Sequence, residues 1–253
     1  MKTEPGSGLW IPANWAAPAR VFAGITTRLG GVSHSPFNDL NLAAHVGDHP
    51  DSVRENRRRV KKALDLPSEP VWLNQIHGCS IIKGKPVAKP ATADGCYTDQ
   101  TGIVCTVMTA DCIPLLLCNR SATEIAAVHV GWRGIGAGII PAALASFREN
   151  AANLLAWIGP HIGSNHYEVG DEVRVACISV DHDTAGGFIR NNAGRWQASL
   201  EEIARIVLIN NGLTSIYSDG RCTFTEDHYF YSYRREKRTG RMASLIWMAK
   251  TNN

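Results

Sequence analysis

The chain has 253 residues, 44% of them hydrophobic and 19% charged, with a formal net charge of +3. That apolar fraction excludes general disorder, and the charge lacks the strong basicity that marks a nucleic-acid or membrane-surface binder. The length suffices for a sizeable core, and residues 1–253 are expected to form one domain.

Residues 1–8 carry no apolar run behind Lys2 that would serve as a signal peptide. No later segment stays apolar for the ~20 residues of a membrane span, so a cytoplasmic location is expected. The seven cysteines, at 79, 96, 105, 112, 118, 177 and 222, include no Cys-x-x-Cys pair and read as reduced, mostly core residues.

In chain order, residues 8–42 are loop-rich around a strand at 21–27, which runs into Arg28-Leu-Gly-Gly-Val-Ser33. The paired glycines read as a turn whose backbone N–H groups, beside Arg28, are able to cradle an anion. Residues 51–66 predict a helix, with Pro50 at its start and Asp51 and Glu55 suited to the positive end of its dipole. Its basic run, Arg57-Arg-Arg-Val-Lys-Lys62, reads as a solvated face; the alternative is a basic residue that turns inward to meet substrate. Residues 71–76 are extended and deliver Gln75 and His77, and a polar, proline-containing connection leads to Asp94.

Residues 102–108, 113–118 and 125–130 are short, nearly unbroken apolar runs, the pattern of strands covered on both faces, and the polar link at 119–123 suits a hairpin. The glycine-rich stretch 131–138 precedes a helix expected around 141–150 and a strand at 154–158. Leu200, Ile203, Ala204, Val207 and Leu208 have the spacing of an amphipathic helix, with Gly212 where a C-cap belongs. The tail Tyr229-Phe-Tyr-Ser-Tyr-Arg-Arg235 reads as a strand with partly buried rings, in preference to a stacking surface for single-stranded nucleic acid. No repeat or interdomain linker interrupts the chain.

Three residues carry the chemistry. His77, Cys112 and His129 offer imidazole nitrogen and thiolate, which suit zinc, and three protein ligands leave a fourth position open for a water whose pKa falls toward about 7. The same atoms also allow Cys112 to act as a nucleophile with His129 as its base and His77 or Asp111 orienting that base. Two ordinary histidines beside a core cysteine are the third possibility. A multicopper oxidase commonly needs His-x-His pairs, and none of the nine histidines forms one, so copper is disfavoured. Arg133, in Gly-Trp-Arg-Gly134, suits a phosphate or equally pins its own loop.

Asn74-Gln-Ile-His-Gly78, Thr109-Ala-Asp-Cys112, His129-Val-Gly-Trp-Arg-Gly134, Gly159-Pro-His-Ile-Gly163 and Phe230-Tyr-Ser-Tyr-Arg-Arg235 with Thr239-Gly-Arg241 closely resemble the laccase-domain family. Thr26-Thr-Arg-Leu-Gly-Gly-Val-Ser33, Asn41-Leu42 and Glu55-Asn-Arg57 extend the resemblance over nearly the whole chain. The family has been called multicopper polyphenol oxidase-like, purine nucleoside phosphorylase and peptidoglycan editing factor. The resemblance implies a single α/β (α+β) domain of layered α/β/β/α form with mixed sheets, related to a cysteine-hydrolase-like fold. It implies zinc on His77, Cys112 and His129, and catalysis centred on them. It also implies phosphorolysis of adenosine, inosine, guanosine or methylthioadenosine, and deamination of adenosine.

Phosphate and nucleoside contacts are expected from Arg28, Asn41, Arg57, Gln75 and Arg133. The alternatives are a hydrolase that edits wrongly built muramyl nucleotides, and a non-enzymatic nucleotide-binding module. Neither nucleic acid nor membrane is an expected partner. The sequence fixes neither the oligomeric state nor the general acid.

Overall fold

Strands made of unbroken Val, Ile, Leu, Ala and Cys have two apolar faces, so each needs a cover on both sides. The computed structural model describes residues 8–85 and 89–249; residues 1–7, read above for a leader, and part of the connection before Asp94 lie outside them. The strands are β1 (Trp10–Pro12), β2 (Val21–Thr26), β3 (Leu73–Asn74), β4 (Ile81–Lys83), β5 (Ala91–Thr92), β6 (Gly95–Thr98), β7 (Val104–Thr109) and β8 (Ile113–Asn119). They continue with β9 (Ile125–Val130), β10 (Leu154–Ile158), β11 (Glu168–Val169), β12 (Phe188–Arg190), β13 (Trp196–Ala198), β14 (Ser215–Ser218) and β15 (Met242–Met248). The helices are α1 (Pro50–Ala63), α2 (Trp132–Gly136), α3 (Ile139–Ala145), α4 (Asp171–Ile178) and α5 (Leu200–Asn210).

One sheet is antiparallel, in the order β1-β2-β15-β7. The other is mixed, in the order β14-β10-β8-β9-β6-β4, with parallel pairs at both ends. A small antiparallel sheet (β11-β13-β12) and the β3-β5 pair complete the set.

Alternation along the strands defines the layers. Ile113, Leu115 and Leu117 of β8 pack with Ile135, Ile139, Ile203 and Val207 from α2, α3 and α5. Leu116 and Cys118, on the opposite face, meet Ile25, Cys105, Val107 and Ile246 from the four-stranded antiparallel sheet. The far face of that sheet, with Val104, Met108, Leu245 and Trp247, is covered by Val60 and Leu64 on and just after α1. The order is therefore helix, sheet, sheet, helices, as the α/β/β/α expectation requires.

Two local expectations are corrected. The helix placed around 141–150 occupies Ile139–Ala145. Gly138, at φ 83, separates it from α2, and the Arg148 backbone N–H donates to Glu124 rather than continuing the helical ladder. The tail at 229–235 is not a strand. Arg235 donates to the carbonyls of Thr223, Phe224 and Phe230, and Arg234 to those of His166 and Glu168, so arginine fans replace a β ladder while Phe230 and Tyr231 are buried.

Candidate metal centre

The chain leaves the first sheet at Thr109 and enters the second at Ile113, and this crossing forms one wall of the site. Asp111 turns the crossing through a left-handed backbone at φ 98. Its carboxylate accepts from Thr223 Oγ1 at 2.7 Å and from the Arg234 N–H at 2.6 Å, bonds that hold the turn. Asp111 is thus engaged away from the histidines.

In the β8–β9 hairpin Pro114 lies opposite His129. Cys112, two residues before Pro114, falls on the same face as His129 and diagonally next to it. His77 arrives from the loop after β3, also left-handed at φ 61. The ligand atoms of His77, Cys112 and His129 all lie within 4.8 Å of one another, and among the described residues they form the one such group of three or more.

Asp94 organises this convergence. It is fully buried; its Oδ1 accepts from the His77 N–H at 2.9 Å and faces His129 Nδ1 at 2.8 Å, while Oδ2 accepts from the N–H groups of Ile76 (3.2 Å) and Gly78 (2.7 Å). Burial opposes its ionisation, but the His129 ring and the backbone donors of Gly78 and His77 outweigh that and hold the carboxyl below its usual range. Burial by itself would raise the Cys112 thiol, yet His129 and His77 bring it down to about 6. Burial by itself would lower His129, and the Cys112 charge with Asp94 raises it to about 9. Cys112 and His129 thus each favour the other's charged form.

Space for an ion is also provided. A Cβ at Gly131 would sit 2.8 Å from Cys112 Sγ and 3.5 Å from His77 Cδ2, so the bare glycine keeps this side open. Two imidazoles, one thiolate and that clearance fit a tetrahedral, borderline-soft ion with one position free.

Two arginines and one imidazole adjoin the cluster. The field at Arg241 comes from Cys112, Asp111 and Tyr233, after burial, which lowers its pKa. His45 is also lowered, by burial first and then by Arg241, Arg57 and His77. Arg57 turns inward from α1: Nε and Nη2 donate to the Leu42 carbonyl at 3.0 and 2.8 Å, and its guanidinium lies 3.9 Å from the Trp72 ring centroid. Burial brings Arg57 down to about 10.

The other expected contacts are distributed differently. Gln75 exchanges two bonds with the Met108 backbone, and Asn41, fully buried, accepts from the N–H groups of Ala43 and Arg241. Arg28 donates to the carbonyls of Asn38 and Asp227 and lines a cavity of about 290 Å³ with Leu29, Asn38, Asp39, Asp227 and His228, to which no member of the triad contributes. Arg133 is exposed on α2, its guanidinium 4.3 Å from the Trp132 ring centroid. His45, Asp94 and Arg241 are the site residues that the sequence pattern did not single out.

Known proteins resemble this chain over nearly its whole length. Purine nucleoside phosphorylase YfiH of Escherichia coli K12 is 48% identical over 244 residues, spanning 96% of this chain and 99% of its own. Purine nucleoside phosphorylase PA4543 of Pseudomonas aeruginosa is 45% identical, spanning 94% of this chain and 98% of its own. The crystal structure of Neisseria meningitidis protein NMB0706, of family DUF152, matches with a TM-score of 0.91 at 38% identity, covering 96% of this chain and 100% of that one. A family model described as multi-copper polyphenol oxidoreductase laccase runs through residues 22–249, the span that holds the whole six-stranded sheet and the triad, and to that family the chain belongs.

Proposed function

We propose that this chain is a cytoplasmic zinc enzyme, one domain over residues 1–253, that cleaves purine nucleosides with phosphate. The observation that carries the reading is the meeting of one thiolate and two imidazoles within 4.8 Å of each other, beside the cations Arg241 and Arg57 and the imidazole of His45. The names of relatives up to 48% identical support the substrate class.

In this reading His77, Cys112 and His129 hold zinc. When bound it supplies a Lewis acid that polarises a substrate oxygen. Copper fits less well, since the nine histidines form no His-x-His pair. Arg241, with added charge from Arg57, binds phosphate and holds its oxygens toward the sugar, an electrostatic role that needs no proton transfer. Asn41 positions Arg241 through its backbone, and Gln75 anchors the loop that carries His77. The exposed Ile76 and Tyr233, 58% and 48% accessible, provide apolar surface beside His77 and Arg241 for a purine ring. Arg28 and Arg133 stand outside this group. Adenosine, inosine, guanosine and methylthioadenosine are the proposed substrates, and deamination of adenosine is the second reaction assigned to the site.

A thiol hydrolase acting on serine-bearing muramyl nucleotides is the competing reading, favoured by one observation: Asp94, His129 and Cys112 stand in the order of an acid-base-nucleophile relay. His77 is the group that such a relay leaves unused. Incubation with inosine and phosphate should yield hypoxanthine and ribose 1-phosphate, with loss on chelation and recovery with zinc. Cys112→Ala should abolish both zinc content and turnover. Muramyl-nucleotide hydrolysis that survives chelation, with no phosphorolysis, would establish the relay instead.

A further inference from the structure

One buried carboxylate touches both halves of the histidine cluster. His77 belongs to a loop and His129 to a central strand, 52 positions apart by number, and no direct backbone hydrogen bond between them is needed because Asp94 binds each. Four donors converge on two oxygens: His77 N–H and His129 Nδ1 on Oδ1, Ile76 N–H and Gly78 N–H on Oδ2. The His129 backbone N–H also donates to the Asp94 carbonyl at 2.7 Å, tying the two residues at both main chain and side chain.

We propose that Asp94 is the positioning residue of the metal centre: it fixes the His129 tautomer and holds the left-handed His77 loop so that both ligands point at one ion. This rests on the metal reading given above. An ionised carboxylate only accepts, so when a metal is bound His129 must carry its proton on Nδ1 and would give its Nε2 lone pair to the ion. The carboxylate also supplies the second negative charge that, with the Cys112 thiolate, balances a divalent cation.

Asp94→Asn isolates this role because it keeps the size but leaves one acceptor oxygen where two are used. Either the Ile76 and Gly78 donors or the His77 and His129 donors lose their partner. If the amide NH2 faces His129, Nδ1 must accept, and Nε2 carries the proton and cannot bind metal. Zinc affinity, read by competition with a chromophoric chelator, should fall 10- to 100-fold. In cobalt-loaded protein the d–d and thiolate charge-transfer bands should shift.

Wild-type zinc affinity and a wild-type cobalt spectrum in Asp94→Asn would overturn the assignment. A wild-type protein that binds neither metal would overturn the metal reading and this inference with it, and that control is read before any variant. Nitrogen-15 histidine spectra of the zinc-loaded wild type test the same point without a variant that must fold: His129 should be protonated on Nδ1, and a proton on Nε2 would overturn the proposal.

Discussion

At position 131 one hydrogen separates an open cradle from a filled one. Gly131 has φ −102 and ψ 169, extended values open to any residue, so a side chain there meets no backbone strain and only the 2.8 Å approach to Cys112 Sγ. Gly131→Ala should therefore push the thiolate aside, weakening zinc binding at least about tenfold, or ~1.4 kcal/mol, with little change in melting temperature. Wild-type zinc titration by this variant would mean that Cys112 Sγ lies outside the coordination sphere. The cluster of His77, Cys112 and His129 was legible in the sequence because histidine and cysteine at or near strand ends are chemically conspicuous. Asp94 and His45 were not, since a lone acidic or imidazole side chain in a polar stretch resembles any other until folding supplies its neighbours. Arg28 and Arg133, which beside glycines both suggest anion sites, are held by contacts that only folding supplies: the first donates to the Asn38 and Asp227 carbonyls and the second lies over Trp132.

At the scale of elements, β7 is an edge strand of the four-stranded sheet, and its open side is partly closed by the segment that carries His77. The Val71 N–H donates to the Val104 carbonyl at 2.9 Å. Further along, Gln75 mimics a strand residue with its side chain: Oε1 accepts from the Met108 N–H at 2.8 Å and Nε2 donates to the Met108 carbonyl at 2.9 Å. Gln75→Ala leaves that peptide group without its partner and should cost about 1–3 kcal/mol. Because Gln75 stands two residues before His77, metal affinity should fall as well, and chemical unfolding with parallel zinc titration would register both losses. Unchanged zinc affinity in a destabilised variant would separate the edge from the site. The strands themselves were readable, since β7, β8 and β9 are buried along their whole lengths and their apolar runs have no gaps. The tail at 229–235 misled because its alternating aromatics imitate strand periodicity, while the bonds that shape it run from arginine side chains to distant carbonyls.

Across the whole molecule, β9 links two poles: Glu124 precedes its first residue, and His129 lies near its other end, about 16 Å away for five extended residues. The Glu124 pole is a structural anchor. Its buried carboxylate accepts from the Tyr97 hydroxyl on β6 and from the backbone and Nε of Arg148 beyond α3, both at 3.1 Å, while its own N–H donates to Asn119 at the end of β8. Burial favours the neutral acid, but these donors outweigh it and hold the Glu124 pKa below its ordinary value. A carboxylate depressed in the folded state stabilises the protein above the unfolded pKa of about 4.3, and that contribution is lost as pH falls through the lower folded value. Glu124→Gln keeps one acceptor oxygen but turns an amide donor toward Tyr97 or Arg148. The loss at neutral pH should be about 1–3 kcal/mol, toward the lower part because the Arg148 side chain is 68% exposed and its charge is screened. Urea midpoints measured from pH 7 to pH 3 should show the wild type and the variant converging as the native carboxylate is protonated, with the variant giving the shallower acid limb. Zinc affinity should be the same in both, since the substitution lies at the pole away from His77, Cys112 and His129; a constant gap at every pH, or a loss of zinc, would show that the two ends of β9 are coupled rather than divided between stability and chemistry.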